Sequence, residues 1–443
     1  MSLTVGVAQA AMTPPLGLWM SGYGARTHGA DHVLDELAAV AAVLTKADSD
    51  QRVVLVTVDL CIPTIAWARR ARQAIASAVG TTAEHVAICS SHTHCGPSFS
   101  NWDGEGEEDR AYGESLIAML AGLASTAAAK SRWAVRPARL GFAQGQTLLG
   151  VNRRDRRSTA AADQGRRPPG PTDPSVSVLR IDDGDGRPLA LLANAACHPV
   201  VLDGDFYGWS GDYVGVARRV VEAELDLPLL FLQGACADIN PAKRGPDGLR
   251  ATGLQLAGEA LRLWASAETH EPDRLAAVAT SLTLPLTDLP ELDEAKRQEQ
   301  EALQALARAE VAPPSRGLSL YGYRMLARAA QRVREQVERG DRHPIAEVDL
   351  QAMSLGPVTV VGAACEPFCQ TGLTVKTQSP RQPVVFSGYT NGVVGYIPTA
   401  GEYQFGGYEV DTAHKYFGLP SVPDPTCEQR VVTECLSLLE RLP

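Results

Sequence analysis

A chain of 443 residues, 45% hydrophobic and 21% charged, is long enough to bury a sizeable core, as two or three domains or as one large α/β domain with insertions. Its 41 Lys and Arg against 51 Asp and Glu leave a formal net charge of -10, which argues against phosphate-tracking nucleic-acid binding and against adhesion to anionic lipid. The longer apolar segments, such as 53–67, are interrupted by Thr57, Asp59 and Pro63, so stable membrane insertion is excluded as well.

The first residues show no basic stretch followed by an apolar one, so no secretory leader is expected. The nine cysteines are an odd number, thinly spread, which suits reduced thiols in a cytoplasm better than a disulfide framework. Short strands are predicted over 4–8 and 52–59, with an apolar run at 37–45 between them. A helix over 64–79 then leads to an apolar strand at 85–91, which makes a parallel βαβ unit whose ligands belong beyond the carboxyl ends of its strands. Asp59 and His92 fall on that edge. The stretch Cys89-Ser90-Ser91-His92-Thr93-His94-Cys95-Gly96-Pro97 ends in a loop-opening Gly-Pro. Strand alternation would turn His92 and His94 the same way, towards one cavity or one metal ion.

An acidic, aromatic loop at 101–109 precedes a helix over 112–130, with Leu116, Met119, Leu120 and Leu123 as its buried stripe. A strand at 138–142 leads to Gly150-Val151-Asn152-Arg153-Arg154, and 155–174 reads as an exposed loop. Strands at 176–181 and 190–196 follow, the second ending in Cys197-His198-Pro199. Asp212 reads as an N-cap or first-turn acid of the next helix. A strand at 229–233 opens onto Gly234-Ala235-Cys236-Ala237-Asp238-Ile239-Asn240-Pro241.

Residues 291–339 change in style. Leu292, Ala295, Leu303 and Leu306 mark one helical face, Pro313-Pro314 breaks it, and Leu326, Ala330, Val333 and Val337 mark another, giving a helical hairpin inserted at the surface. Strands return at 345–350, 358–362 and 383–386, the middle one leading into Cys365-Glu366-Pro367-Phe368, and a helix at 427–441 closes the chain. No internal repeat is evident. The expected class is α/β, with mixed multi-stranded sheets, flanking helices and the site at strand carboxyl ends.

His92, His94, His198 and Glu366 each lie just past an apolar strand. Imidazoles and a carboxylate converging on one sheet edge, with a coordination place left open, are what a mononuclear zinc hydrolase needs. The motifs also resemble the catalytic domain of the neutral/alkaline, non-lysosomal ceramidase family. The resemblance is carried by His92-Thr93-His94-Cys95-Gly96-Pro97, Asn152-Arg153, His198, Ser210-Gly211-Asp212, Cys365-Glu366-Pro367-Phe368, Asn391, Tyr396-Ile397-Pro398-Thr399, Glu402-Tyr403 and Tyr408-Glu409, in the family's order along nearly the whole chain. It implies one Zn²⁺ per chain held by His92, His198, Glu366 and Tyr396. His94 and Arg153 would flank the scissile carbonyl, and Asn240, Asn152 and Asp212 would contact the substrate.

Asn240 stands where the family has a serine, so a serine nucleophile is ruled out there and a metal-activated water is the expected route. The family's secreted members carry a leader and a further C-terminal domain for which the sequence shows no room, and residues 1–443 read as one catalytic domain. The expected activity is cytoplasmic hydrolysis of a carbon–nitrogen bond in a small N-acyl compound. Lactam or ester opening, cyclisation, and a non-catalytic binding role on the same fold stand as alternatives, and a homo-oligomer is left open.

Overall fold

The computed structural model describes residues 2–49, 51–99, 105–134, 136–154, 170–312 and 317–443. Three four-stranded sheets follow one plan. In the first, Leu3–Ala11, Ala38–Lys46 and Arg52–Val58 are antiparallel neighbours, and Val86–Ser90 adds in parallel. In the second, Arg139–Gln146, Ser175–Asp182 and Pro188–Ala195 are antiparallel and Leu229–Gln233 is parallel. The third has Leu275–Pro285, Ile345–Leu355 and Val358–Ala363, then Val384–Ser387 in parallel. A parallel pair needs a crossover, and each has one helix for it: Ile65–Val79, Asp212–Leu225 and Cys369–Gln378. The architecture repeats although the sequence does not.

Strand alternation then divides the apolar side chains between two surroundings. Val53 and Leu55 of the first sheet join Leu192 and Leu232 of the second and Val360 and Val385 of the third in one shared apolar cluster. Val54 and Val56 point the other way, under the helices Ile65–Val79 and Glu107–Trp133. Burying a Val or Leu side chain fully is worth about 1.5–3 kcal/mol, so the shared cluster binds the three sheets to one another. Their parallel strands consequently end close together. His92 follows Ser90, His198 follows Ala195, Glu366 follows Ala363 and Tyr389 follows Ser387, each by two or three residues.

Several expectations change. The strand expected over 85–91 begins after a short turn at Ala83–His85 and stops at Ser90. His92 adopts a left-handed φ of 65°, so the histidines share a cavity through a turn rather than through pleat alternation. The 107–133 helix starts earlier than expected, within the acidic loop read at 101–109, and 101–104 of that loop lie outside the described residues. So do 155–169 of the expected exposed loop and Pro313-Pro314 of the hairpin.

The hairpin itself is present as Leu292–Val311 and Leu320–Glu338. Its stripes differ from the reading: Leu303 is exposed, and the second helix buries Met325, Ala327, Ala329 and Val337. That helix packs on the first on one side and on the Ala413–Phe417 segment on another, so no single stripe describes it. Among the described residues no helix is long and apolar enough to cross a membrane.

Candidate active site

Two imidazoles from different sheets meet first. His92 Nε2 and His198 Nε2 are 2.9 Å apart, and Glu366 Oε2 lies 3.3 Å from the former and 3.9 Å from the latter. All three side chains are at most 2% exposed. Each ring donates its other nitrogen to a backbone carbonyl, His92 Nδ1–H to Cys61 O at 2.9 Å and His198 Nδ1–H to Cys236 O at 3.0 Å. A carbonyl can only accept, so both tautomers are set and both Nε2 lone pairs point at the same spot. Two ring nitrogens this close need a positive charge between them, a metal ion or, without one, a proton on His92 Nε2 beside Glu366. The spacings match a tetrahedral ion, whose ligand atoms at about 2.0–2.1 Å stand about 3.3 Å from one another. The donor set therefore fits zinc, and the carbonyls that orient the rings are the usual outer partners of such a site.

His94 is the third imidazole, with Nε2 3.4 Å from His92 Nε2. A second grouping, Cys61 with His92 and His94, is also close enough to hold an ion. It would recruit the His92 edge that already serves the Cys61 carbonyl, so the set with His198 and Glu366 is the better one. Burial first, and His92 next, push His94 and His198 well below the usual histidine range. Burial would do the same to His92, but Cys61 and Glu366 outweigh it and push it up to about 10.

Tyr389 was not anticipated. Its ring stacks on His92 at a centroid distance of 4.1 Å, and its hydroxyl donates to Glu366 Oε2 at 3.4 Å. Three of the five non-glycine residues with positive φ among those described, His92, Tyr389 and Asn391, sit on the two segments that meet here. Strain of that kind persists where packing over-determines the backbone, as at functional sites. Asn391 ties the segments together, accepting from Ile88 N at 2.9 Å and donating to Gln351 Oε1 at 2.8 Å.

Above the cluster opens a cavity of about 870 Å³, lined among others by His92, His94, Glu366, Arg153, Asn240 and Tyr396. Glu366 and Tyr396 are register partners in a two-residue parallel pairing, which sets their side by side approach. Burial, then Glu366, raises the Tyr396 phenol well above its usual range. Arg153 donates from Nε to Glu409 Oε1 at 2.8 Å, from one terminal nitrogen to Asn240 Oδ1 at 3.3 Å and from the other to the Tyr396 hydroxyl at 3.2 Å. Glu409 also takes Arg154 at 2.6 Å.

Asn152 and Asp212 are not brought to the cavity wall. Asn152 has its amide committed to Asp238 Oδ2 at 2.7 Å, Pro171 O at 3.0 Å and Arg154 N at 3.0 Å, which makes it a support beneath the arginines. Asp212 is fully buried and accepts from Leu202 N at 3.0 Å and Tyr213 N at 2.6 Å. It is the first residue of its helix and closes the preceding loop, and burial pushes its carboxyl up to about 7.

Gly22 presses on His94. Its φ is 96°, and a Cβ there would sit 2.4 Å from the His94 ring. Gly22→Ala is therefore expected to destabilise the protein by about 1–3 kcal/mol through the left-handed backbone alone and to lower turnover by displacing His94. Urea denaturation and kinetics on one preparation check both parts.

Residues 3–233 match the family model for the N-terminal part of neutral/alkaline non-lysosomal ceramidases. A neutral ceramidase from Pseudomonas aeruginosa aligns with 100% of this chain and 75% of its own, at a TM-score of 0.69 and 19% identity. A ceramidase complexed with C2 aligns with 100% and 76%, at a TM-score of 0.70 and 18% identity. At such identity the structural likeness speaks for the fold. A search of curated proteins by sequence gives no match. The family model takes in more than half of the 443 residues, and the chain belongs to the neutral/alkaline non-lysosomal ceramidase family.

Proposed function

We propose that this ceramidase-like hydrolase cleaves the amide bond of a small N-acyl compound, with one zinc ion per chain held by His92, His198, Glu366 and Tyr396. The observation that supports this most is the pair of Nε2 atoms 2.9 Å apart, both lone pairs turned inwards. When bound, zinc supplies Lewis acidity and makes water a nucleophile near neutral pH. The chain's own residues do the rest.

Arg153, kept in place by Glu409, presents its guanidinium where negative charge builds up on the carbonyl oxygen. His94, neutral and open to the cavity, takes a proton at Nε2 and passes it to the leaving amine. Asn240 orients Arg153 through Oδ1, and its Nδ2, which has no partner among the described residues, is left for the substrate. The cavity has the size of a site for a drug-sized ligand, and Met20, Ile62, Met325 and Phe417 give it apolar wall for an acyl chain. We place this activity in the cytoplasm, on one catalytic unit.

Elemental analysis combined with amide hydrolysis is the test. About one zinc per chain is expected, removed by a chelator together with release of fatty acid from N-acyl amides and restored by adding zinc back. A folded protein that takes up no zinc would overturn the reading.

A further inference from the structure

We infer that the substrate carries an anionic group, a carboxylate or a phosphate, remote from the bond that is cut, and that Arg332 and Lys415 on the outer cavity wall bind it. The inference rests on the hydrolase reading above and adds the substrate's charge to it.

Among the described residues the cavity is lined by five cationic side chains, Arg153, Arg244, Arg328, Arg332 and Lys415, against one carboxylate, Glu366. In a chain with ten more acidic than basic residues, 51 against 41, the opposite balance would be the expectation. Three of the five, Arg153, Arg244 and Arg328, already have partners. Arg153 pairs with Glu409 at 2.8 Å and Arg244 with Asp203 at 2.5 Å. The side chains of Arg332 and Lys415 make no ion pair or hydrogen bond with a described residue.

Their placement is built rather than incidental. Met325, Arg328 and Arg332 follow one another at the spacing of a single helix face, and that face of Leu320–Glu338 is the one in the cavity wall. The same helix packs on the Ala413–Phe417 segment, which brings Lys415 to the same rim. The start of the helix is fixed to the loop on the other side of the cavity. Ser319 donates from its hydroxyl to Gly24 O at 2.8 Å, and Tyr321 meets Trp19 edge-on at a centroid distance of 4.8 Å.

Like charges gathered over an apolar slot repel one another and lose hydration when the slot fills. A wholly neutral ligand leaves that cost uncompensated. A ligand with an anionic end removes it, and the guanidinium fork suits carboxylate and phosphate alike.

The test uses zinc-loaded protein and uncleavable sulfonamide analogues, measured by titration calorimetry: an N-alkylsulfonyl ω-amino acid whose carboxylate lies several methylenes from the sulfonamide, its methyl ester, and the corresponding phosphate-terminated compound. The acid or the phosphate is expected to bind at least about tenfold more tightly than the ester, and which of the two does so identifies the source of the charge. The double substitution Arg332→Glu with Lys415→Glu should erase the preference and leave binding of the ester in place. Equal binding of acid, phosphate and ester, or a preference that survives charge reversal, overturns the inference. A cleavable N-acyl ω-amino acid of the same chain length run in parallel separates the two readings: charge-selective binding without any amide cleavage would remove the hydrolase assignment and leave the anion site standing.

Discussion

Replacing His198 by alanine should abolish the proposed zinc binding and reduce amide hydrolysis by about 10³-fold or more, the several kcal/mol that a metal ion contributes to such a transition state. His198 is wholly buried, and it supplies the second of the two inward-facing nitrogens. With it gone, His92, Glu366 and Tyr396 remain of the four proposed ligands, with a single imidazole among them, and zinc prefers the nitrogen donor that has been lost. The substitution also removes one of the two donors to the Cys236 carbonyl, which keeps Ile239 N at 2.9 Å, at a cost of about 0.5–1.5 kcal/mol. Stability should fall modestly, therefore, while metal content falls to background. Circular dichroism establishes that the variant is folded, and elemental analysis gives the zinc. A folded His198→Ala protein that keeps one zinc and ordinary turnover would show that the ion sits elsewhere, with Cys61, His92 and His94 the next grouping to test.

His92, His198 and Glu366 were legible because a buried parallel strand shows itself as a continuous apolar run, and open α/β sheets place ligands beyond the ends of such runs. Val86–Ser90, Pro188–Ala195 and Val358–Ala363 are runs of this kind. The repetition of one sheet plan three times was not legible, because burial asks for apolar side chains in alternation and not for any particular ones. Nor was the left-handed turn at His92, which is imposed by the segments packed around it.

The groups that orient the rings left no trace either, since the Cys61 and Cys236 carbonyls belong to the backbone and any residue would supply them. Glu409 lies 256 positions from Arg153, beyond the range of any local pattern, and only its place in a family motif singled it out. The hairpin misled in a different way: a helix buried on two sides has no single apolar stripe, and a hairpin read as a surface insertion places Arg328 and Arg332 in the cavity wall.

Arg153→Ala is expected to lower kcat by about 10²–10³-fold, the usual loss when a preorganised donor to a developing oxyanion is removed, with KM changed far less. The guanidinium is fixed by three contacts, to Glu409, Asn240 and Tyr396, so it needs no reorganisation when charge appears beside it, and that is why its effect should fall on the chemical step. Arg153→Lys keeps the charge and loses the fork, and should recover only part of the rate. Glu409→Gln acts through Arg153 and Arg154 together. As a positioning change it should cost less than removing Arg153, and it should add little to the loss once Arg153 is gone, the non-additivity expected of residues that act as a unit. The opposite split, KM raised with kcat intact, would make Arg153 a substrate-binding residue that holds ground state and transition state equally, and the oxyanion role would have to pass to another group in the cavity.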